Sequence, residues 1–157
     1  MIGRISIILF LILLFSGLGY TAELLFEEAF NNYNEGVMAQ KMRNFYSAET
    51  SYQKSIIIDR GTKCKKYIFN NLGLIYIERG DTAKAEFAFK EALRLDPDYT
   101  IAASNLTLLY LKLAVAYKDR GDMKKALEIF QKAFSHYPTK TFIMEEEKDA
   151  KAENSGN

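Results

Sequence analysis

The sequence is poor in the residues that build chemical sites. It holds one cysteine and one histidine among 157 residues, which excludes an internal disulfide framework and zinc motifs rich in Cys and His. It also lacks a glycine-rich phosphate loop and a His-Glu-x-x-His pattern. We therefore predict that the chain is not an enzyme and that it binds neither a metal nor a cofactor.

An excess of charge of one sign is also missing. Lys and Arg number 21 against 20 Asp and Glu, which leaves a net charge of +1, and the two signs are interspersed along the chain. Such a balance creates no field that would attract nucleic acid, so we predict no nucleic-acid partner. Apolar residues make up 48% of the chain, which is enough for one packed domain of ordinary size with tails.

Proline is scarce, and both prolines follow a helical pattern. In residues 66–99, large and small apolar residues recur every three or four positions, which predicts a helix; a Gly80-Asp81 turn and a second such helix follow, and the second helix ends before Pro97. The pattern returns in residues 107–140 and, more weakly, in residues 29–62. Asn44, Asp81 and Asp122 stand where each second helix would need an N-terminal cap.

These residues resemble the tetratricopeptide repeat. The positions that carry the resemblance are Phe69, Leu72, Gly73, Tyr76, Gly80, Ala85, Phe89, Ala92 and Pro97, with counterparts at Tyr110, Leu113, Ala114, Tyr117, Gly121, Ala126, Phe130, Ala133 and Pro138. The resemblance implies an all-α fold of helix-turn-helix repeats, stacked as a short right-handed superhelix of about three repeats. We expect the repeats in a domain over residues 23–144.

The spacing between the second and third repeats predicts a long helix. Ala85 and Ala126 are 41 residues apart, seven more than one 34-residue unit, and no Gly or Pro lies between Thr100 and Arg120. We therefore predict a helix over roughly residues 98–119. Its additional turns carry Ile101, Leu106 and Leu109, which need cover from a neighbouring helix, another protomer or a partner.

Residues 1–22 differ in composition from the rest. Arg4 precedes an apolar run from Ile5 to Phe15 that contains one polar residue, Ser6, and small residues follow. This pattern predicts a secretory signal peptide, cleaved after Gly19 or Ala22, or an uncleaved membrane anchor through residues 2–18. We therefore expect an exported, periplasmic or extracytoplasmic protein.

The C-terminal residues predict a cap and a tail. Phe142, Ile143 and Met144 could begin a capping helix that covers the end of the stack. Residues 145–157 are polar, with five acids against two lysines, and we predict a disordered tail there.

The resemblance also implies a concave groove lined by the first helix of each repeat. The residues that we expect to bind a partner are Tyr33, Tyr67, Asn70, Leu74, Ile77, Leu108, Leu111 and Val115. Some family members hold a peptide carboxylate with a clamp of Lys, Asn and Arg. Here Asn71 and Lys112 occupy two such positions, but Asn70 and Leu108 stand where the clamp needs basic residues. We therefore predict that the chain does not bind a peptide through its C-terminal carboxylate.

We conclude from the sequence that the chain is a non-catalytic scaffold or adaptor of the cell envelope. Its groove is expected to hold a peptide or an amphipathic helix of a partner protein. The groove residues could instead be covered by terminal helices. The alternative function is a self-associating structural component, a homo-oligomer formed through the long helix.

Overall fold

The computed structural model describes the backbone of residues 2–59 and 64–135 and the side chains of residues 21–59 and 64–135. All regular structure in that part of the chain is helical, which confirms the predicted all-α class. There are six helices, here numbered in chain order: α1 (Ile2–Lys41), α2 (Phe45–Ile58), α3 (Lys65–Glu78), α4 (Thr82–Leu95), α5 (Thr100–Asp119) and α6 (Met123–Ser135).

The predicted caps form at the start of α2, α4 and α6. A side-chain oxygen of Asn44, Asp81 or Asp122 accepts a hydrogen bond from the backbone N–H three residues later, at 3.2, 3.1 and 3.0 Å. Each cap satisfies one N–H that the first helical turn leaves free. The residue before each cap has a positive φ, and it is glycine in two turns and Arg43 in the other.

The contacts divide the chain into an N-terminal unit up to Leu72 and a C-terminal unit from Gly73 onward. In the N-terminal unit, α1 packs against α2. Gly36 permits this approach, because a Cβ atom at that position would lie 2.5 Å from the ring of Tyr52. The Ser55 hydroxyl also donates a buried hydrogen bond to the carbonyl of Ala29 at 2.7 Å, so the two helices are joined by packing and by a polar contact.

The C-terminal unit has the larger described core. Gly73 lies against Phe89, whose ring would be 2.5 Å from an added Cβ atom. Leu74, Tyr76 and Ile77 pack at the edge of the buried cluster. That cluster takes its members from α4, α5 and α6: Ala85, Phe89, Leu106, Leu109, Tyr110, Ala114, Ile129 and Ala133.

The long helix predicted near residues 98–119 is observed as α5. Leu106 and Leu109 are buried in the core of the C-terminal unit, whereas Ile101 is exposed. The cover that these two leucines require therefore comes from the chain itself. Among the residues searched, α5 is also the one helix long and apolar enough to cross a membrane, but 39% of its most apolar window is buried inside the protein, as in the core helix of a repeat.

The first helix passes through the predicted domain boundary at residue 22 without a break, since α1 runs from Ile2 to Lys41. The boundary between the N-terminal segment and the repeat domain thus stays a prediction from composition. The predicted capping residues Phe142–Met144 and the tail over residues 145–157 lie outside the described part of the chain.

Candidate protein-binding site

Tyr52 holds three helices of the N-terminal unit together. Its hydroxyl donates to Gln40 Oε1 at 2.7 Å and accepts from Asn71 Nδ2 at 3.1 Å. Burial raises the pKa of Tyr52 to about 12, although the hydrogen bond from Asn71 lowers it. The hydroxyl therefore stays protonated at neutral pH, and Asn71 is engaged in helix packing.

The three predicted site residues of the N-terminal unit lie in different surroundings. Tyr33 is half-buried and ends a row of aromatic rings on α1, with centroid separations of 6.3 Å from Phe26 to Phe30 and 6.2 Å from Phe30 to Tyr33. Tyr67 is exposed, and Lys66 Nζ lies 5.0 Å from its ring centroid. Asn70 is buried, so its side chain offers little surface to a partner.

The five predicted site residues of the C-terminal unit divide in the same way. Leu74, Ile77 and Leu111 are partly buried and pack against the core cluster. Leu108 and Val115 are exposed, with 50% and 56% of their surface open to solvent. Leu111 and Val115 are brought together in one cavity.

That cavity is an apolar groove along α5 and α6, with a volume of about 520 Å³. We call it the α5–α6 groove. Its lining residues are Leu111, Ala114, Val115, Lys118, Met123, Ala126, Leu127 and Phe130. Lys118 is the charged member, so the walls present hydrocarbon with one positive charge.

Half of the groove comes from α6, which the sequence reasoning did not assign to binding. Met123, Leu127, Phe130 and Phe134 repeat at helical spacing and are exposed, beside a second row of buried residues at Ala126, Ile129 and Ala133. Two adjacent apolar rows on a 13-residue helix leave one row without cover. These two apolar rows were the sequence feature from which the contribution of α6 to the groove could have been predicted.

In the preceding helix pair, α3 and α4, the position that corresponds to Leu127 of the groove is held by Glu86, which makes a polar contact. Tyr110 Oη donates to a carboxylate oxygen of Glu86 at 2.9 Å, and Glu86 also pairs with Lys90. Burial alone would raise the pKa of Glu86, but the hydrogen bonds from Lys90 and Tyr110 bring it below the ordinary value. Burial, followed by the bond to Glu86, raises the pKa of Tyr110. At neutral pH the Glu86 carboxylate is therefore ionised and the Tyr110 hydroxyl is protonated, so the hydrogen bond between them is retained.

The described residues offer no cluster of three His, Cys, Asp or Glu side chains arranged to hold a metal ion. Two apolar surfaces of the described residues are the aromatic row on α1 and the α5–α6 groove. Both favour contact with apolar surface.

The chain is similar to curated photosystem I assembly proteins. It is 30% identical to Ycf3 of Cyanophora paradoxa over 107 residues, which cover 68% of this chain and 62% of that protein. It is 24% identical to Ycf3 of Rippkaea orientalis over 111 residues, which cover 71% of this chain and 64% of that one. The matched region thus spans less than two thirds of the length of these two relatives.

This likeness overturns one prediction. Export to a periplasmic or extracytoplasmic site, expected from the N-terminal apolar run, is wrong, because the relatives are assembly proteins of photosystem I. An apolar run of this length is ambiguous in physical terms, since a signal peptide, an anchor and a buried helix end share it.

Solved structures with the same fold include the crystal structure of MamA, with a TM-score of 0.51 and 22% identity over 79% of this chain and 61% of that one. The second tetratricopeptide domain of Spaghetti (RPAP3), bound to the HSP90 peptide SRMEEVD, has a TM-score of 0.53 and 18% identity over 78% of this chain and 98% of that one. At these identities the likeness concerns the fold.

The family models agree with the helix pairs. The tetratricopeptide-repeat models match residues 67–99 and 109–140, which cover α4 and α6 together with most of the helix that precedes each. The capped turns at Asp81 and Asp122 and the close approach of Gly73 to Phe89 give these matches a structural basis. The chain therefore contains tetratricopeptide repeats, helical units that mediate protein–protein interaction.

Proposed function

We propose that the chain is a non-catalytic scaffold that holds a peptide or an amphipathic helix of another protein during the assembly of a protein complex. The observation that carries the proposal is the α5–α6 groove, an open apolar cavity in a repeat fold. Exposed Val115, Leu127 and Phe130 line it. An apolar groove of this kind suits burial of the apolar face of a helix.

The names of the relatives support the assembly part of the proposal. Both are assembly proteins, and an assembly factor must hold a subunit reversibly. A groove walled by hydrocarbon gives affinity through burial, at about 25 cal/mol per Å² of apolar surface, and it forms few directional bonds that would slow release.

Self-association is the second candidate. It was predicted from Ile101, Leu106 and Leu109, but the two leucines are buried within their own chain, so only Ile101 of that set is available to a second copy. The α5–α6 groove provides a different surface through which copies could meet. Sedimentation of the full chain across the micromolar range tests this candidate directly.

Attachment to a membrane through residues 2–18 is a further part of the proposal. Its support is the apolar run from Ile5 to Phe15 and the continuity of α1, which would join such an anchor to the first repeat without a flexible linker. Partition of the full chain into the membrane fraction, with release on deletion of residues 2–18, would support anchoring. Recovery of the full chain in the soluble fraction would remove it.

The scaffold proposal is tested by purifying partners on the full chain and then measuring direct binding with single variants. Tyr67→Glu, Leu108→Glu and Val115→Glu each place a charge on an exposed apolar position. Gln53→Glu is the matched control on an exposed polar position. Leu74→Glu is unsuitable, because Leu74 packs against the core. A purified partner that at least one of the three variants loses, and the control retains, supports the proposal. A chain that retains no protein specifically overturns it.

A further inference from the structure

We propose that the α5–α6 groove receives an amphipathic helix of a different protein, in the place that α5 itself takes on the preceding helix pair. This inference rests on the proposed scaffold function and specifies its site and its ligand. The argument uses the internal symmetry of the chain, in which α5 packs against α4 and the α5–α6 groove repeats the surface that α5 covers.

The correspondence follows from the 41-residue spacing. Gly73, Ala85 and Phe89 return as Ala114, Ala126 and Phe130. Ala85 and Phe89 are fully buried, whereas Phe130 is 44% exposed and lies in the groove. The same sequence position is thus covered in one helix pair and open in the next.

The sequence that follows α6 lacks the apolar row that such cover would require. On α5, Leu106, Tyr110 and Leu113 lie in or against the core cluster. At the same 41-residue spacing their counterparts are Glu147, Lys151 and Asn154, and at the 34-residue spacing of the family they are Lys140, Met144 and Glu147. Phe142, Ile143 and Met144 are consecutive in the sequence, and three consecutive residues of a helix would span only about 4.5 Å and form no continuous row.

A second copy of the chain is also a poor occupant. In head-to-tail stacking, the first helix of one copy would take the place of α5 on another. Counted back from Ala126 to its counterpart Ala48, the positions of Leu106, Tyr110, Leu113 and Tyr117 are held by Glu28, Asn32, Glu35 and Ala39. Glu28 and Glu35 are exposed, and placing these carboxylates in an apolar groove would cost much of the binding energy.

The groove walls describe the side chains that the partner helix must carry. Leu127 stands where α4 has Glu86, the acceptor of the Tyr110 hydroxyl. The partner residue at that level should therefore be a hydrocarbon side chain with no hydroxyl to satisfy. Lys118 stands where α3 has Ile77, so an acidic residue at the groove edge would gain a charge-assisted contact. The proposed ligand is therefore a helix that carries an apolar row and an acidic residue beside that row.

A peptide based on α5 tests the inference. The peptide has the sequence of residues 100–119 with Tyr110→Leu, and its exposed positions are made polar by Ile101→Lys, Leu108→Glu and Val115→Glu. A control peptide carries Leu106→Glu and Leu113→Glu in addition. Binding of each labelled peptide to the full chain is measured by fluorescence anisotropy. We expect saturable binding of the first peptide, and binding at least about tenfold weaker for the control peptide.

Variants of the chain locate the binding. Leu127→Glu, at a position 59% exposed, should weaken binding about tenfold without changing the helix content seen by circular dichroism. Met123→Glu, at 63% exposure, provides a second variant if the first lowers stability. Gln131→Glu, on an exposed polar position of the same helix, should leave binding unchanged.

Each of the following results would overturn the inference. Binding that appears only after deletion of residues 139–157 would assign the groove to the chain's own C-terminal segment. A dimer of the full chain that Leu127→Glu dissociates would assign it to a second copy. No saturable binding, or binding that Leu127→Glu leaves unchanged, would leave the groove without the proposed ligand. If a purified partner is lost by Tyr67→Glu but retained by Leu127→Glu, the scaffold function stands and this site is wrong.

Discussion

The helix pair that contains Gly73 and Phe89 and the pair that contains Ala114 and Phe130 are built from the same pattern but end in opposite states. In the first, the aromatic ring lies against a glycine and is fully buried. In the second, an alanine stands in place of the glycine, and the ring of Phe130 is 44% exposed, with Phe134 beside it at a centroid separation of 4.9 Å. One pair is covered by the helix that follows it, and the other is open.

The difference shows that the same position in two repeats can contribute different amounts to the stability of the fold. A phenylalanine covered by the next helix stabilises the fold, whereas the same residue at the open end contributes less to stability and becomes available to a ligand. Nearest-neighbour coupling in repeat proteins makes this outcome general, since each repeat is completed by the next. The proposed binding surface, the α5–α6 groove, is the copy of this position that the described helices leave uncovered.

The largest expected effect comes from truncating the two aromatic rings. Phe89→Ala removes a fully buried ring and should lower the free energy of unfolding by about 3–5 kcal/mol. Phe130→Ala removes a ring that is partly in solvent and should cost roughly 1 kcal/mol. Urea unfolding of both variants measures the contrast. Equal losses would show that Phe130 is covered in solution.

The close packing of Gly73 against Phe89 in the covered helix pair is tested by changing the glycine. Gly73→Ala would place a Cβ atom 2.5 Å from the buried Phe89 ring, and the overpacking should cost about 1–3 kcal/mol, although alanine is the better helix former by roughly 1 kcal/mol. Ala114→Gly is the matched reversal and should cost about 1 kcal/mol through helix propensity, in addition to the lost burial of one methyl group. A gain in stability from Gly73→Ala would contradict the close approach.

The sequence was sufficient for the repeated features, because each depends on local chemistry. The caps at Asp81 and Asp122, the small residue at position 73 and the length of α5 all follow from spacing and turn residues, and the structure contains them. Spacing along one helix does not say which of two apolar rows another helix will cover. The predicted set of binding residues therefore includes Leu111 and Val115 of the α5–α6 groove but not Met123, Leu127 and Phe130.

Burial of polar side chains was the other limit. Asn70 was expected to face a partner, but it is buried, because a family position fixes where a residue lies on its helix and not what its neighbours cover. The prediction of the protein's location was wrong for a different reason. Hydrophobicity of residues 2–18 describes how that segment partitions, and it carries no information about the destination of the chain.

The turns between paired helices allow a smaller test of how far the repeats are equivalent. Gly80 and Gly121 have φ values of 76° and 83°, and Arg43 holds the same place in the first turn with a φ of 57°. A side chain in this region costs roughly 1–2 kcal/mol, part of which glycine recovers. Arg43→Gly should therefore raise the free energy of unfolding by about 1 kcal/mol. No gain in urea unfolding would show that contacts of the Arg43 side chain, such as its approach to the Phe45 ring, offset the strain.

The smallest effect expected is a pH dependence at the cap of α4. The hydrogen bond from the backbone N–H of Lys84, and then the side chain of Lys84, lower the pKa of Asp81 below its ordinary value. The folded state therefore favours the carboxylate. Its contribution to stability is complete above about pH 4, the ordinary range for aspartate, and is lost as the pH falls through the lower pKa of the folded state.

Asp81→Asn keeps a capping oxygen but removes the titration, so the fall of the melting temperature between about pH 4 and pH 2 should become shallower. The first repeat offers the reverse experiment, because its cap is already an asparagine that accepts from Ser47. Asn44→Asp should make the same fall steeper. Acid melting curves that are identical for wild type and both variants would mean that neither cap is coupled to folding, and that the equivalence of these two turns is geometric alone.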